Sequence, residues 1–327
     1  MRFKLTPTFM LFAALCICLM SEELWLRHVL AAQGSRIVFS HLAFDNFEIY
    51  VMDADGGSRE NLSNHPVDDE DPDWSPDGTK IAFTSRRTGE YQIYVMDADG
   101  KHQIRLTDGP ETNWEPDWSP DGQKIAFSVS PNFNVGVVRH IAVMDADGNN
   151  RVRYENRAMQ PDWSPDGGQI AFVSWRDGGN EIYVIDADGQ GLERVTHDLV
   201  GKWGPSFSPD GGRIAYYARP DGFMHIYVVG VDGKNLKRLT HIEEHHWGPT
   251  WSPDGGAIAY ASSNVGFPTG AKIHLMTADG KYLKQLSKIH DGIDFQPDFN
   301  PVGLAVSSFS NKITTWGRFK KLALNLR

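Results

Sequence analysis

The sequence predicts an all-β fold: a six-bladed β-propeller of four-stranded blades, closed by a C-terminal strand that completes the first blade. Three observations predict it. A segment Pro-Asp-Trp-Ser-Pro-Asp-Gly begins at Pro72, and close variants begin at Pro116, Pro161, Pro205, Pro249 and Pro297, at spacings of 44, 45, 44, 44 and 48 residues. A second series, of the form Glu-Ile-Tyr-Val-Met-Asp-Ala-Asp-Gly, starts at Glu48, Gln92, His140, Glu181, His225 and Lys272. The two series are out of phase at the ends: the body opens on Arg36-Ile37-Val38-Phe39 and closes on a lone Gln296-Pro297-Asp298-Phe299. Four strands repeated every 40–50 residues make a propeller blade, and the phase lets the last segment pin the ring shut. Closure removes exposed sheet edges.

Each unit reads as strands A to D. Strand A is the Pro-Asp-Trp segment, and its aromatic anchor is Trp74, Trp118, Trp163, Phe207, Trp251 or Phe299 in successive copies. Ser-Pro-Asp-Gly then turns the chain, with proline preset for the first corner and glycine supplying positive φ. Strand B is Lys80-Ile81-Ala82-Phe83 and its equivalents. Strand C, Ile93-Tyr94-Val95-Met96, is apolar at both parities, as in a strand covered on both faces. Asp-Ala-Asp-Gly turns the chain again, and strand D ends near Arg105-Leu106-Thr107.

The chain has 327 residues, enough for a closed repeat architecture, and its composition (40% hydrophobic, 23% charged) excludes disorder. The net charge of −10 is uneven: residues 1–34 carry +1 and residues 309–327 carry +5, which leaves −16 on the body, 35–308. An acidic body repels nucleic acid and attracts cations or basic protein segments, so no nucleic-acid partner is expected. Both cysteines, Cys16 and Cys18, lie in the N-terminal apolar stretch, so the body has no disulfide framework and no Cys-based zinc site. Arg2 and Lys4 precede the apolar run Leu5–Met20. That is the pattern of an export signal, and the run is shorter than a full membrane span. The expected organisation is an export signal or short membrane anchor over 1–34, the propeller over 35–308, and a basic tail over 309–327. A periplasmic or secreted protein is expected, with peripheral or anchored membrane association open. In the tail, Trp316, Phe319, Leu322 and Leu326 recur at helical spacing, which allows either a short amphipathic helix or an unstructured terminus.

The repeat Pro-Asp-Trp-Ser-Pro-Asp-Gly, Lys-Ile-Ala-Phe, Ile-Tyr-Val-Met-Asp-Ala-Asp-Gly, Leu-Thr resembles that of the TolB-like propellers, relatives of the WD-repeat class, across about 35–300. The resemblance implies the fold and a non-catalytic binding role in the cell envelope, not an enzyme. The family's namesake carries an α/β domain before its propeller. Here the segment ahead of the first blade is expected to be an export segment, so that domain's contacts are not carried over.

Candidate sites follow from where strand A runs. As the innermost strand it lines the central channel. With anchors packed between blades, side-chain alternation turns their neighbours toward the channel. The residues before the anchors are Asp73, Asp117, Asp162, Ser206, Thr250 and Asp298. Two residues earlier come Asp71, Glu115, Gln160, Gly204, Gly248 and Gln296. These rows hold six acids, Asp71, Asp73, Glu115, Asp117, Asp162 and Asp298, and no base. Two readings stand: the carboxylates face a ligand, or they bond the turn backbone nearby. Like charges gathered there are expected to raise some carboxyl pKa values, and a cation or a Lys- or Arg-bearing segment would relieve the repulsion. Four residues before the anchors come Glu70, Trp114, Met159, Trp203, Trp247 and Phe295. Of these, Trp114, Trp203, Trp247 and Phe295 are either interface aromatics at the channel mouth or caps on the blade-to-blade core.

Other chemistries fare less well. The Asp-Ala-Asp-Gly loops lack the downstream bidentate glutamate of a calcium loop. No Gly-x-Ser-x-Gly elbow is present. His241, His245, His246 and His290 are compatible with a resemblance to oligogalacturonate lyases, metal-dependent propellers. Adjacent His245 and His246, however, should point to opposite sides of an extended segment. No cofactor and no metal site is assigned. The expected function is a binding scaffold that holds a protein segment or ligand at the channel mouth; a metal-dependent carbohydrate-active enzyme is the alternative.

Overall fold

The computed structural model describes residues 36–303 apart from 44–45, 132–138, 199, 265–268, 282 and 288–291. The proposed export segment and the basic tail, helical or unstructured, lie outside the described residues, as does His290.

The described chain forms six four-stranded antiparallel sheets. Strands A to D of each blade follow in sequence, except in blade 1. There strands B (Arg36–Ala43), C (Asn46–Asp53) and D (Glu60–Asn61) take their strand A (Ile293–Phe299) from the far end of the chain. Ile37 pairs with Phe299, and Leu42 with Ile293. The other inner strands are Asp69–Trp74 in blade 2, Thr112–Trp118 in blade 3, Ala158–Trp163 in blade 4, Lys202–Phe207 in blade 5 and His245–Trp251 in blade 6.

The core lies between blades. Trp74 of blade 2 packs on Val38, Ile49, Val51 and Leu62 of blade 1, and Trp118 packs on Ala82, Ile93 and Val95 of blade 2. The same step recurs at Trp163, Phe207, Trp251 and Phe299. Strands B and C are buried at both parities because each sheet has a neighbour on either face. Burying an anchor of this size contributes about 4–6 kcal/mol before entropic costs.

The two turns set the pitch of the repeat. In Ser75-Pro76-Asp77-Gly78, the Ser75 hydroxyl donates to Asp77 Oδ1 (2.7 Å) and accepts the Lys80 amide (2.9 Å), and Gly78 takes φ +66°. In the Asp-Ala-Asp-Gly turn, Gly100 (φ +80°) lies against the preceding blade: a Cβ there would come 2.5 Å from the Leu62 carbonyl oxygen. The first aspartates pair with strand B lysines, Asp97 with Lys80 at 3.1 Å and Asp145 with Lys124 at 3.0 Å. Turn chemistry thus accounts for these loops.

A buried cluster fixes the closure. Asp294, at the start of the closing strand, bonds His41 Nδ1 (2.7 Å) and both terminal nitrogens of Arg59 (2.8 and 3.2 Å). Burial alone would raise the Asp294 pKa, but the bonds from His41 and Arg59 outweigh it and hold the carboxyl below its ordinary value.

Candidate channel site

Strand A is not a plain strand. In each blade its pairing with strand B shifts register between the residue four before the anchor and the residue one before it, as between Glu70 and Asp73. The residue three before the anchor takes φ between +51° and +58° in all six blades: Asp71, Glu115, Gln160, Gly204, Gly248 and Gln296. A β-bulge therefore delivers these side chains to the channel. Simple alternation gives the right row for the wrong local reason. The signal in the sequence is the glycine that replaces an acid or amide at this position in blades 5 and 6.

The channel side chains form two storeys of inter-blade staples. In the lower one, Oδ2 of an aspartate accepts the backbone amide of the next blade's anchor. Asp298 takes Trp74 N (2.9 Å), Asp73 takes Trp118 N (2.7 Å), Asp117 takes Trp163 N (2.6 Å) and Asp162 takes Phe207 N (2.7 Å). In the upper one, side chains accept the next bulge amide: Gln296 to Asp71 N (3.4 Å), Asp71 to Glu115 N (3.4 Å), Glu115 to Gln160 N (3.2 Å) and Gln160 to Gly204 N (2.9 Å). Strand B hydroxyls brace this storey, Ser40 on Gln296, Thr84 on Asp71 and Ser128 on Glu115. The six predicted acids thus converge on one channel, and each also bonds backbone. That backbone belongs to the neighbouring blade rather than to the nearby turn.

Both storeys stop at blade 6. Blades 5 and 6 carry Ser206 and Thr250 in the lower row and Gly204 and Gly248 in the upper. Among the described residues no carboxylate accepts a backbone amide across the 5/6 or 6/1 boundary. The Trp251 indole donates to the Ser206 carbonyl (3.2 Å), and Thr250 touches Asp298 at 3.4 Å. Tyr217 of blade 5 leans over Gly204, where a Cβ would lie 2.9 Å from its ring. At the equivalent place in blade 6 stands Ala261, paired with Trp247, and a Cβ on Gly248 would meet only the Gln296 backbone, at 3.9 Å.

The carboxyls are half-buried, lined by protein yet touching the channel. Burial is the leading cause that raises their pKa values: Asp71 and Asp298 to about 6, Glu115 to about 7 and Asp162 to about 8, with Asp73 and Asp117 well above the ordinary range. Repulsion from Asp117 and Asp298 adds at Asp73, and from Asp162 at Asp117. Glu70 at the mouth, bonded by the Tyr91 hydroxyl, rises to about 8 through burial and the Asp71 charge.

The aromatics divide. Trp247 is buried against Ala261 and Ala271, so it belongs to the core. Trp114, Trp203 and Phe295 are half-exposed at the entry end. Arg139 covers Trp114 (5.3 Å), Tyr217 stacks on Trp203 (5.8 Å), and Phe47 meets Phe295 edge-on (5.3 Å). Sequence reasoning missed Tyr217, although its place in strand B holds Thr84, Ser128 or Ser40 in other blades. The channel therefore has two unlike walls. Blades 1 to 4 present carboxyls and amides, and blades 5 and 6 present glycine, hydroxyl and aromatic surface.

The histidines do not assemble. His245 packs on Phe223 at the surface, whereas His246 is buried between His225 and Tyr260. Among the described residues no three His, Cys, Asp or Glu side chains converge as a metal-ligand set.

A closed six-bladed ring whose inner strands are stapled by aspartates defines a propeller of the Pro-Asp-repeat class. The chain belongs to the TolB beta propeller domain family, whose model matches residues 30–141 and 132–269. No curated protein matches it in sequence. Among solved structures, TolB from Acinetobacter baumannii is 23% identical, covering 82% of this chain and 67% of its own, with a TM-score of 0.71. A putative TolB from Agrobacterium tumefaciens is also 23% identical, covering 82% and 100%, at 0.65. An oligogalacturonate lyase in complex with manganese is 14% identical, covering 79% and 75%, at 0.56. These likenesses show the fold, which binding proteins and enzymes share.

Proposed function

We propose that the chain is a non-catalytic binding scaffold of the cell envelope that holds a cationic protein segment at the aromatic end of its channel. The observation that carries this reading is the pair of unlike walls on one channel. A lysine or arginine side chain is itself amphipathic: its charged head suits Asp71, Glu115 and Asp73, and its apolar stem suits the Trp203–Tyr217 side. Burial and, at Asp73 and Glu115, the charge of neighbouring acids oppose ionisation of these carboxyls, and a cationic head offsets both. The acids are spread around the channel wall, and among the described residues no three of them form a metal-ligand set, which favours a side chain over a bare metal ion. The basic start and apolar run at the N-terminus support export.

Capture from an envelope extract tests the reading, comparing the full chain with its Asp73→Asn/Asp117→Asn variant. A partner retained by the wild type should be lost by the folded variant, and lost by the wild type at about 0.5 M salt, where charges are screened within a few ångströms. Equal capture by both proteins would overturn it.

A further inference from the structure

Blade 3 departs from the repeat in its outer strand. In five blades a polar residue opens strand C and a hydroxyl fifteen residues on caps the following amide: Ser63 bonds Ile49 N, Thr107 bonds Ile93 N, Thr196 bonds Ile182 N, Thr240 bonds Ile226 N and Ser287 bonds Ile273 N. In blade 3 that place holds Glu155, which is drawn away to Arg176 (2.6 Å). His140, the opening residue, is left buried with its Nδ1 unpartnered. Burial and the nearby charge of Arg153 lower its pKa to about 4. Beside it, the backbones of Arg139 and Arg157 are joined, Arg157 N donating to Arg139 O at 2.7 Å. Arg157 holds φ +53°, and both side chains are exposed. Neither has a carboxylate within ion-pair distance among the described residues. Arg139 instead lies over the half-exposed Trp114 and against Met159 Sδ (3.6 Å), both at the channel mouth.

An uncompensated pair of arginines is out of place on a body that carries −16. We propose that Arg139 and Arg157 form an anion subsite on the mouth's rim that takes a carboxylate of the bound protein segment. This rests on the channel reading above and deepens it: the segment carries an acidic group beside its cationic one. A guanidinium fork matches a carboxylate in two parallel hydrogen bonds. The carboxylate-lined channel next door disfavours an extended polyanion such as nucleic acid or an anionic membrane, so the anion must be local and accompanied by positive charge.

The test follows the arginine Nε–Hε resonances of the full chain by NMR. The probes are N-acetyl-glutamic acid N-methylamide, its glutamine analogue and inorganic phosphate. The glutamate probe should shift Arg139 and Arg157 along a saturating curve, and the glutamine analogue should not. Arg157→Gln should weaken the titration about tenfold, the size of one charged hydrogen bond. The response should persist in the Asp73→Asn/Asp117→Asn variant, because this probe has no cationic group. Failure of the subsite and failure of the channel are therefore read separately. Non-saturating shifts shared by all exposed arginines, a glutamine analogue that binds equally, or phosphate binding tenfold tighter than the glutamate probe would each overturn the proposal.

Discussion

Asp117 Oδ2 accepts the backbone amide of Trp163 at 2.6 Å, so a channel carboxylate of blade 3 holds the anchor of blade 4 in place. The side chain proposed to face a ligand is thus also a structural joint. The two roles separate by substitution.

Asp117→Asn keeps an acceptor for the Trp163 amide and removes a charge that neighbouring acids oppose. Asp117→Ala removes the acceptor and leaves a half-buried amide unpaired. The alanine variant should be less stable than the asparagine variant by about 1–3 kcal/mol in urea denaturation. Equal stability would mean the staple contributes nothing.

Stability should depend on pH through the same ring. Carboxyls whose folded pKa values are raised bind protons more tightly when folded, so their stabilisation is complete below the unfolded value and is lost as pH rises through the folded one. With folded values of about 6 to 8 at Asp71, Asp298, Glu115 and Asp162, melting temperature should fall between about pH 5 and pH 8. The Asp73→Asn/Asp117→Asn variant should flatten that slope; an identical slope would remove the ring as its cause.

Asp294 behaves in the opposite sense. Its folded pKa is depressed, so its contribution is present above the unfolded value and is lost as pH falls below about 4. Asp294→Ala leaves His41 and Arg59 facing a buried gap and should cost about 3–5 kcal/mol. Truncation at residue 294, which removes the closing strand, should be more damaging still. A melting temperature unchanged by truncation would refute closure by that strand.

Gly204→Ala meets both a φ of +56° and the Tyr217 ring 2.9 Å away. It should destabilise by about 1–3 kcal/mol, and Tyr217→Ser should restore part of that loss, because the ring is one of the two obstacles. No rescue in the double variant would show that backbone strain alone sets the cost.

Most of the ring was legible because its information is local and repeated. The Pro-Asp-Trp and Asp-Ala-Asp-Gly series fix the strands, and the phase of Arg36 and Phe299 fixes the closure. The lower row of acids was legible by the same periodicity. The bulge at Asp71 and its equivalents was not, because alternation and a bulge put the same residues on the channel. Arg139, Arg157 and Tyr217 were hidden for another reason: their roles depend on departures within one blade, and a repeat directs attention to what is kept. Trp247 looked equivalent to Trp114 and Trp203, yet Ala261 and Ala271 give it a pocket to fill.

The interruption of both storeys at blade 6 turns a hoop into an open cuff. Blades 1 to 5 are riveted in series, from Asp298 through Asp162, whereas blade 6 is seated as a wedge by its apolar flanks, by the Trp251 indole and by the longer Thr250 to Asp298 bond. Strain applied to such a ring concentrates at its unriveted seams. Among the described residues, amide exchange should therefore be fastest between 245 and 285, and the closing strand Ile293–Phe299 lies on the lip of one seam. The sector that gives first also carries Gly248 and Ala261 where blade 5 carries Gly204 and Tyr217, so the compliance of the ring and the smallest side chains on its wall fall on the same side.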